Sequence, residues 1–344
     1  MKKALLIGID YIDVSGVSLK GCINDVINMR NMLIDAYDYE PQNITMLRDD
    51  DAAKFTRPTH DNIYDSIIDL VLDSGNLEEL WLHYSGHGSQ LQNQNCNSEI
   101  KKGDRAEAIV PVDYMKEGCI IDCDLYDIIR RIRCRAILTF DCCHSGTICD
   151  LPWTTQYQEG ALVSQQISSI SINNKNIFVF SGCRDDQTSA DTTNIMDQRT
   201  GAFTNALCEC LRRSHHNTSI LSLHKDICIY LDENGYSQQP ILSSTVEVPR
   251  HMFFKEVRKG GWVPISQDPL IAKISLPSSR LTHQYVREPV AEIDIIKKIR
   301  DEDESVIRGL LPIISSGFSV STGSSSEISS FSSLCRHFYK RGLR

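Results

Sequence analysis

The chain opens on a continuous apolar run within residues 2–9 and then alternates such runs with amphipathic segments. A short apolar run bounded by polar turn residues reads as a buried strand. Residues 19–37 set Val26, Met29, Met32 and Leu33 at helical spacing, which predicts a helix. Residues 43–47 predict a second strand, and 60–72 a second helix with Ile63, Ile67, Ile68 and Val71 facing inward. Residues 77–84 predict a third strand, which ends at Ser85-Gly86-His87-Gly88 because paired glycines break regular structure. Residues 106–121 predict a hairpin or short edge strands, 122–132 a helix, and 135–140 a fourth strand. A polar connection over 150–175 leads to a fifth strand at 176–181. Helices at about 201–213 and 221–231 and a sixth strand at 250–255 complete the pattern.

Strands alternating with helices imply right-handed βαβ units, hence an α/β fold with a mainly parallel six-stranded sheet and helices on both faces. Function in such sheets collects outside the carboxyl ends of the strands. Two of those ends carry the most reactive residues of the chain: His87 after the third strand and Cys143 after the fourth. Beyond residue 260 the pattern dissolves into Pro, Ser and clustered charge. Residues 257–344 therefore read as a mostly disordered tail, with one expected helix near 289–311.

Composition narrows the classes. The chain has 344 residues, 41% of them hydrophobic, enough for a substantial core. No apolar run reaches 18 residues, so no membrane span is expected, and the opening run reads as a strand rather than a leader. A net charge of −9 argues against nucleic acid as the main partner. Thirteen cysteines, an odd number without framework spacing, predict reduced thiols and a cytoplasmic location.

A cysteine attacks as its thiolate, and a neighbouring histidine can take the thiol proton. His83, His87, Cys142, Cys143 and His144 are also zinc-ligand types. However, Gly86 and Gly88 keep the histidines off a shared helix face, and no Cys-x-x-Cys is present. A redox pair at Cys142-Cys143 is disfavoured because adjacent cysteines strain a disulfide.

Tyr84-Ser85-Gly86-His87-Gly88 and Asp141-Cys142-Cys143-His144-Ser145-Gly146 resemble the two catalytic motifs of metacaspases. Gly21-Cys22-Ile23-Asn24-Asp25, Ile109-Val110-Pro111-Val112-Asp113, Asp150-Leu151-Pro152 and Gly201-Ala202-Phe203-Thr204 match in the same order. The resemblance implies a caspase-like three-layer sandwich over residues 1–256. Its large-subunit-like part would be 1–155 and its small-subunit-like part 175–256. It implies a cysteine endopeptidase with His87 as general base and Cys143 as nucleophile. Gly88 or Gly86, with Cys143, would donate main-chain N–H groups to the oxyanion. Cys22, Asp25, Ser85 and Asp141 would line the pocket for the residue before the cut. Two carboxylates there call for a cation, so the expected substrates are proteins or peptides cut after Arg or Lys. The alternative is a silent caspase-like scaffold.

The resemblance also implies Ca²⁺ activation at Asp122 and Asp150. Cys123 stands where a second aspartate is usual and Ala106 where an acid is common, and a thiol is a poor calcium ligand. No basic residue lies between Pro152 and Asn174. This favours a compact, type I-like monomer without an N-terminal pro-domain, active without cleavage at the junction. Tail residues such as Lys297 and Arg300 are the candidate self-cleavage sites.

Overall fold

The computed structural model describes residues 1–51, 53–92, 105–143, 146, 148–183, 191–193 and 199–255. The expected tail at 257–344, with its helix, lies outside them. The chain begins Lys2–Gly8 (β1), Cys22–Tyr37 (α1), Ile44–Arg48 (β2), His60–Asp73 (α2) and Glu79–Ser85 (β3). Gly88–Gln92 (β4), Arg105–Ile109 (β5), Tyr114–Glu117 (α3) and Ile120–Ile121 (β6) come next. Asp122–Ile129 (α4) and Arg135–Asp141 (β7) follow. The second half consists of Trp153–Gln158 (β8), Ala161–Gln166 (β9), Ile177–Ser181 (β10), Asp191–Thr193 (β11) and Arg199–Gly201 (β12). Ala202–Arg213 (α5), Ile220–Glu233 (α6) and Ile241–Ser244 (β13) close it.

Strands β2, β1, β3, β7 and β10 lie side by side and parallel, as the strand–helix alternation predicts. Strands β13, β8 and β9 continue the sheet antiparallel, giving eight strands where six were expected. Two corrections account for the difference. The sixth strand is β13, every residue of which is buried, whereas residues 250–255 supply only a bridge from Phe253 to Ser219. The connection over 150–175 contains the β8–β9 hairpin, whose Thr, Gln and Ser content masks its alternation. Its two-residue turn, Glu159-Gly160, has φ of 49° and 83°, the conformation that matches the twist of the flanking strands. The segment 106–121 belongs to a separate three-stranded sheet, β4-β5-β6, broken by α3.

Side chains alternate across the main sheet and fill two cores. Leu5, Ile7, Leu82 and Leu138 pack with α2 and α4 on one face. Leu6, Trp81, Ile137 and Phe180 pack with α1, α5 and α6 on the other. The result is a mixed α/β sandwich with helices on both faces. Helices α2 and α6 are capped by Thr59 and Ser219, which accept the N–H of Asn62 and Ser222. Helix α1 has no such cap of its own. Asp10, just past β1, accepts the Cys22 N–H at 3.0 Å and fixes the start of α1 at the carboxyl edge of the sheet. Among the described residues no helix is long and apolar enough to cross a membrane. Ten of the described cysteines are free thiols.

Two wholly buried histidines give the fold an acid limit. Burial lowers His83 to about 3 and His224 to about 4, since a charged ring there would be cut off from water. The unfolded chain takes up these protons near pH 6.5, whereas the folded chain does so only near 3–4. Stability is therefore lost as pH falls through that window. His224→Leu should remove its share, about 2 kcal/mol of the unfolding free energy lost between pH 7 and pH 4.5. Denaturant titrations of both proteins at the two pH values check this.

Candidate active site

Neighbouring strands β3 and β7 are parallel, with Ser85 level with Asp141. Beyond this level both chains leave the strands, His87 two residues after Ser85 and Cys143 two after Asp141. Every residue of both strands is buried, and His87 and Cys143 are the first half-buried side chains beyond them. Space between the two chain ends is minimal. A Cβ added to Gly88 would stand 1.9 Å from the Cys143 carbonyl oxygen, so only glycine permits this approach. Cys142 turns inward, 1% exposed, and its carbonyl accepts the Cys183 thiol at 3.0 Å.

The His87 ring is oriented from a loop that the sequence reading passed over. Its Nε2 lies 2.7 Å from the Val17 carbonyl oxygen. A carbonyl can only accept, so Nε2 carries the proton and Nδ1 is left as the basic nitrogen. The His87 N–H donates to the Tyr11 hydroxyl at 3.0 Å, and its carbonyl accepts the Tyr84 hydroxyl at 2.7 Å.

The four pocket residues come together. Helix α1 brings Cys22 and Asp25, and the ends of β3 and β7 bring Ser85 and Asp141. Asp25 accepts the Ser85 hydroxyl at 2.6 Å and the Gly201 N–H at 3.0 and 3.1 Å. Asp141 accepts both the N–H and the hydroxyl of Thr204 at 2.8 Å. Gly201 lies between the carboxylates: a Cβ there would meet Asp141 Oδ2 at 2.1 Å and Asp25 Oδ2 at 3.0 Å. Both aspartates are nearly sealed from solvent, at 0% and 4% exposure. Burial first, and the Asp141 charge second, push Asp25 well above the ordinary carboxylate range. Burial and the Asp25 charge likewise hold the Cys22 thiol protonated. The arrangement is a buried cluster of two carboxylates, a thiol and a hydroxyl at the carboxyl edge of the sheet.

Asp122 and Asp150 meet elsewhere, beside Cys149, whose thiol is pushed up by burial and then by both carboxylates. Asp122 spends Oδ2 on the Glu107 N–H at 3.0 Å and Oδ1 on the Cys123 N–H at 2.7 Å. Among the described residues no three His, Cys, Asp or Glu side chains form a metal-holding group. Asp122 and Asp150 are the described carboxylates that would contribute to the six to eight oxygens calcium takes.

Tyr11 and the Val17 carbonyl had no place in the motifs, and Tyr84 stood there only as the first residue of Tyr84-Ser85-Gly86-His87-Gly88. Tyr11 sits just beyond β1 at the same sheet edge, the one signal that would have found it. Thr204 was visible only as part of Gly201-Ala202-Phe203-Thr204.

The fold and the paired strand ends describe a caspase-like α/β protein. Residues 2–152 match the family described as metacaspase, peptidase C14 domain. The chain is 32% identical over 290 residues to metacaspase-1 of Pyricularia oryzae, spanning 70% of this chain and 71% of that one. It is 34% identical over 260 residues to metacaspase-2 of Trypanosoma brucei brucei, spanning 71% and 73%. A Geobacter sulfurreducens protein of known structure superposes with a TM-score of 0.48 at 21% identity, covering 72% of this chain and 94% of that one. The chain belongs to the metacaspase family, and so to the cysteine-type peptidases.

Proposed function

We propose that residues 1–256 form a cysteine endopeptidase that cuts after arginine or lysine, with Cys143 as nucleophile and His87 as general base. The observation that carries this reading is that parallel β3 and β7 end side by side, with half-buried His87 and Cys143 just beyond them and Gly88 packed against the Cys143 carbonyl, at the edge where α/β sheets act. His87 Nδ1 takes the thiol proton. The sulfur attacks the substrate carbonyl and forms a tetrahedral oxyanion, and the protonated imidazole passes its proton to the leaving amine. Water, deprotonated by the same ring, then hydrolyses the thioester and restores the thiol. The Gly86 N–H is turned to the Asp141 carbonyl at 3.4 Å, which favours Gly88 and Cys143 as oxyanion donors.

The Asp25–Asp141 pair supports a basic residue before the cut, because each carboxylate makes the other costlier to ionise and a guanidinium or ammonium beside both offsets that cost. An acidic side chain would add a third buried negative charge. Peptides ending in Arg or Lys should be cut at least about 10²-fold faster than one ending in Asp. Preference for Asp would overturn the specificity. Cleavage of none by pure protein would favour the silent scaffold. Calcium would act through Asp122 and Asp150 as an activator, apart from the chemical step. Titrating calcium against the peptidase rate tests this: a rise supports activation, and a flat response excludes it.

A further inference from the structure

Tyr11 belongs neither to the cysteine–histidine pair nor to the acidic pocket, yet the contacts that hold His87 converge on it. Its backbone is left-handed, with φ of 52°, a conformation costly for a bulky residue and kept where the surroundings demand it. Its side chain is completely buried. The ring lies against the imidazole, centroids 4.7 Å apart and planes tilted by 38°. The hydroxyl accepts the His87 N–H at 3.0 Å and donates to the Val110 carbonyl at 2.6 Å. Tyr84, its hydroxyl 3.3 Å from that of Tyr11, donates to the His87 carbonyl. Two tyrosine hydroxyls thus hold both ends of the His87 main chain.

They also explain Gly86, where a Cβ would meet the Tyr84 hydroxyl at 2.7 Å and the Tyr11 hydroxyl at 3.2 Å. The left-handed residue opens the turn, in which the Tyr11 carbonyl accepts the Val14 N–H at 3.0 Å. That turn leads to Val17, whose carbonyl fixes the proton on Nε2. One residue therefore touches the face of the ring, holds its main chain and starts the loop that sets its tautomer.

We propose that Tyr11 is a positioning residue for catalysis, fixing the plane and tautomer of the His87 imidazole so that Nδ1 is presented to Cys143. The proposal rests on His87 being the general base. Tyr11→Phe keeps the ring and removes only the hydroxyl, whereas Tyr11→Leu removes both. Tyr39→Phe is the control. It deletes another buried hydroxyl, which donates to Glu79 at 3.1 Å and takes no part in the site.

The full-length proteins are compared by kcat and KM on an Arg-ending peptide, by the pH dependence of Cys143 alkylation with iodoacetamide, and by denaturant midpoint. Tyr11→Phe should lose about tenfold in kcat at constant KM, and Tyr11→Leu about a hundredfold. In both, the alkylation midpoint of Cys143 should rise. Tyr39→Phe should lose stability and keep the wild-type alkylation midpoint. A Tyr11→Phe protein with wild-type kcat and alkylation profile overturns the inference while leaving the peptidase reading intact. A wild type whose Cys143 alkylation is unchanged by His87→Ala overturns both.

Discussion

Gly88→Ala is expected to lose at least about 10² in kcat/KM on an Arg-ending peptide while keeping its fold. The new methyl would lie 1.9 Å from the carbonyl oxygen of Cys143 and 3.3 Å from Cys142 Cβ. Neither neighbour is a flexible side-chain end, so the main chain must move. The main chain here carries the nucleophile and, in the proposed mechanism, two oxyanion donors. A displacement near 1 Å in such a constellation costs on the order of a hundredfold in rate, since both attack geometry and oxyanion contacts are misaligned. Gly75→Ala is the control, because its Cβ would make only ordinary contact with the Arg133 side chain at 3.5 Å. It should stay within about twofold of wild type. Steady-state rates, with circular dichroism to verify folding, separate the two outcomes.

Asp141→Asn is expected to raise KM for the Arg-ending peptide by about 10² and to weaken the preference over an Asp-ending one. Breaking a buried, hydrogen-bonded charge pair costs about 2–5 kcal/mol, which corresponds to roughly thirtyfold to several thousandfold in affinity. The amide keeps an oxygen for Thr204, so the loss should report charge rather than collapse of the pocket.

A pH signature follows. In the wild type Asp25 is raised by burial and by the Asp141 charge, so acidification protonates it early and KM climbs as pH falls. Without the Asp141 charge, Asp25 moves back toward its ordinary value. The acid limb of KM should then shift to lower pH in Asp141→Asn. An unchanged limb would mean that Asp25 does not face the substrate charge.

Much of this arrangement was legible in the chain. Apolar runs such as Leu80-Trp81-Leu82 and Ala136-Ile137-Leu138 mark strands buried on both faces, and their polar ends mark the working edge. The resemblance to metacaspases implied that Cys22, Asp25, Ser85 and Asp141 act together, and the fold brings these four residues to one sheet edge from two strands and a helix.

What stayed hidden depends on contacts rather than on composition. The β8–β9 hairpin is written in Thr, Gln and Ser, so no period-2 hydrophobic signal betrays it. Strand β13 has four residues, too short for periodicity, and its burial comes from β10 and β8 on either side. The Val17 carbonyl is main chain, and no residue type announces it. Tyr11 looked like one more residue after a strand, because a left-handed backbone at a tyrosine is imposed by tertiary contacts, not by propensity.

The central claim is that Cys143 is a nucleophile served by a pocket selective for a basic side chain. Its most direct test is irreversible labelling of the full-length protein by peptidyl chloromethyl ketones ending in Arg or in Asp, followed by peptide mass mapping. The expected result is one equivalent of the Arg reagent, on Cys143 and not on Cys142, lost in His87→Ala, with the Asp reagent at least about 10² slower. Labelling of another thiol, or equal rates for the two reagents, would contradict it.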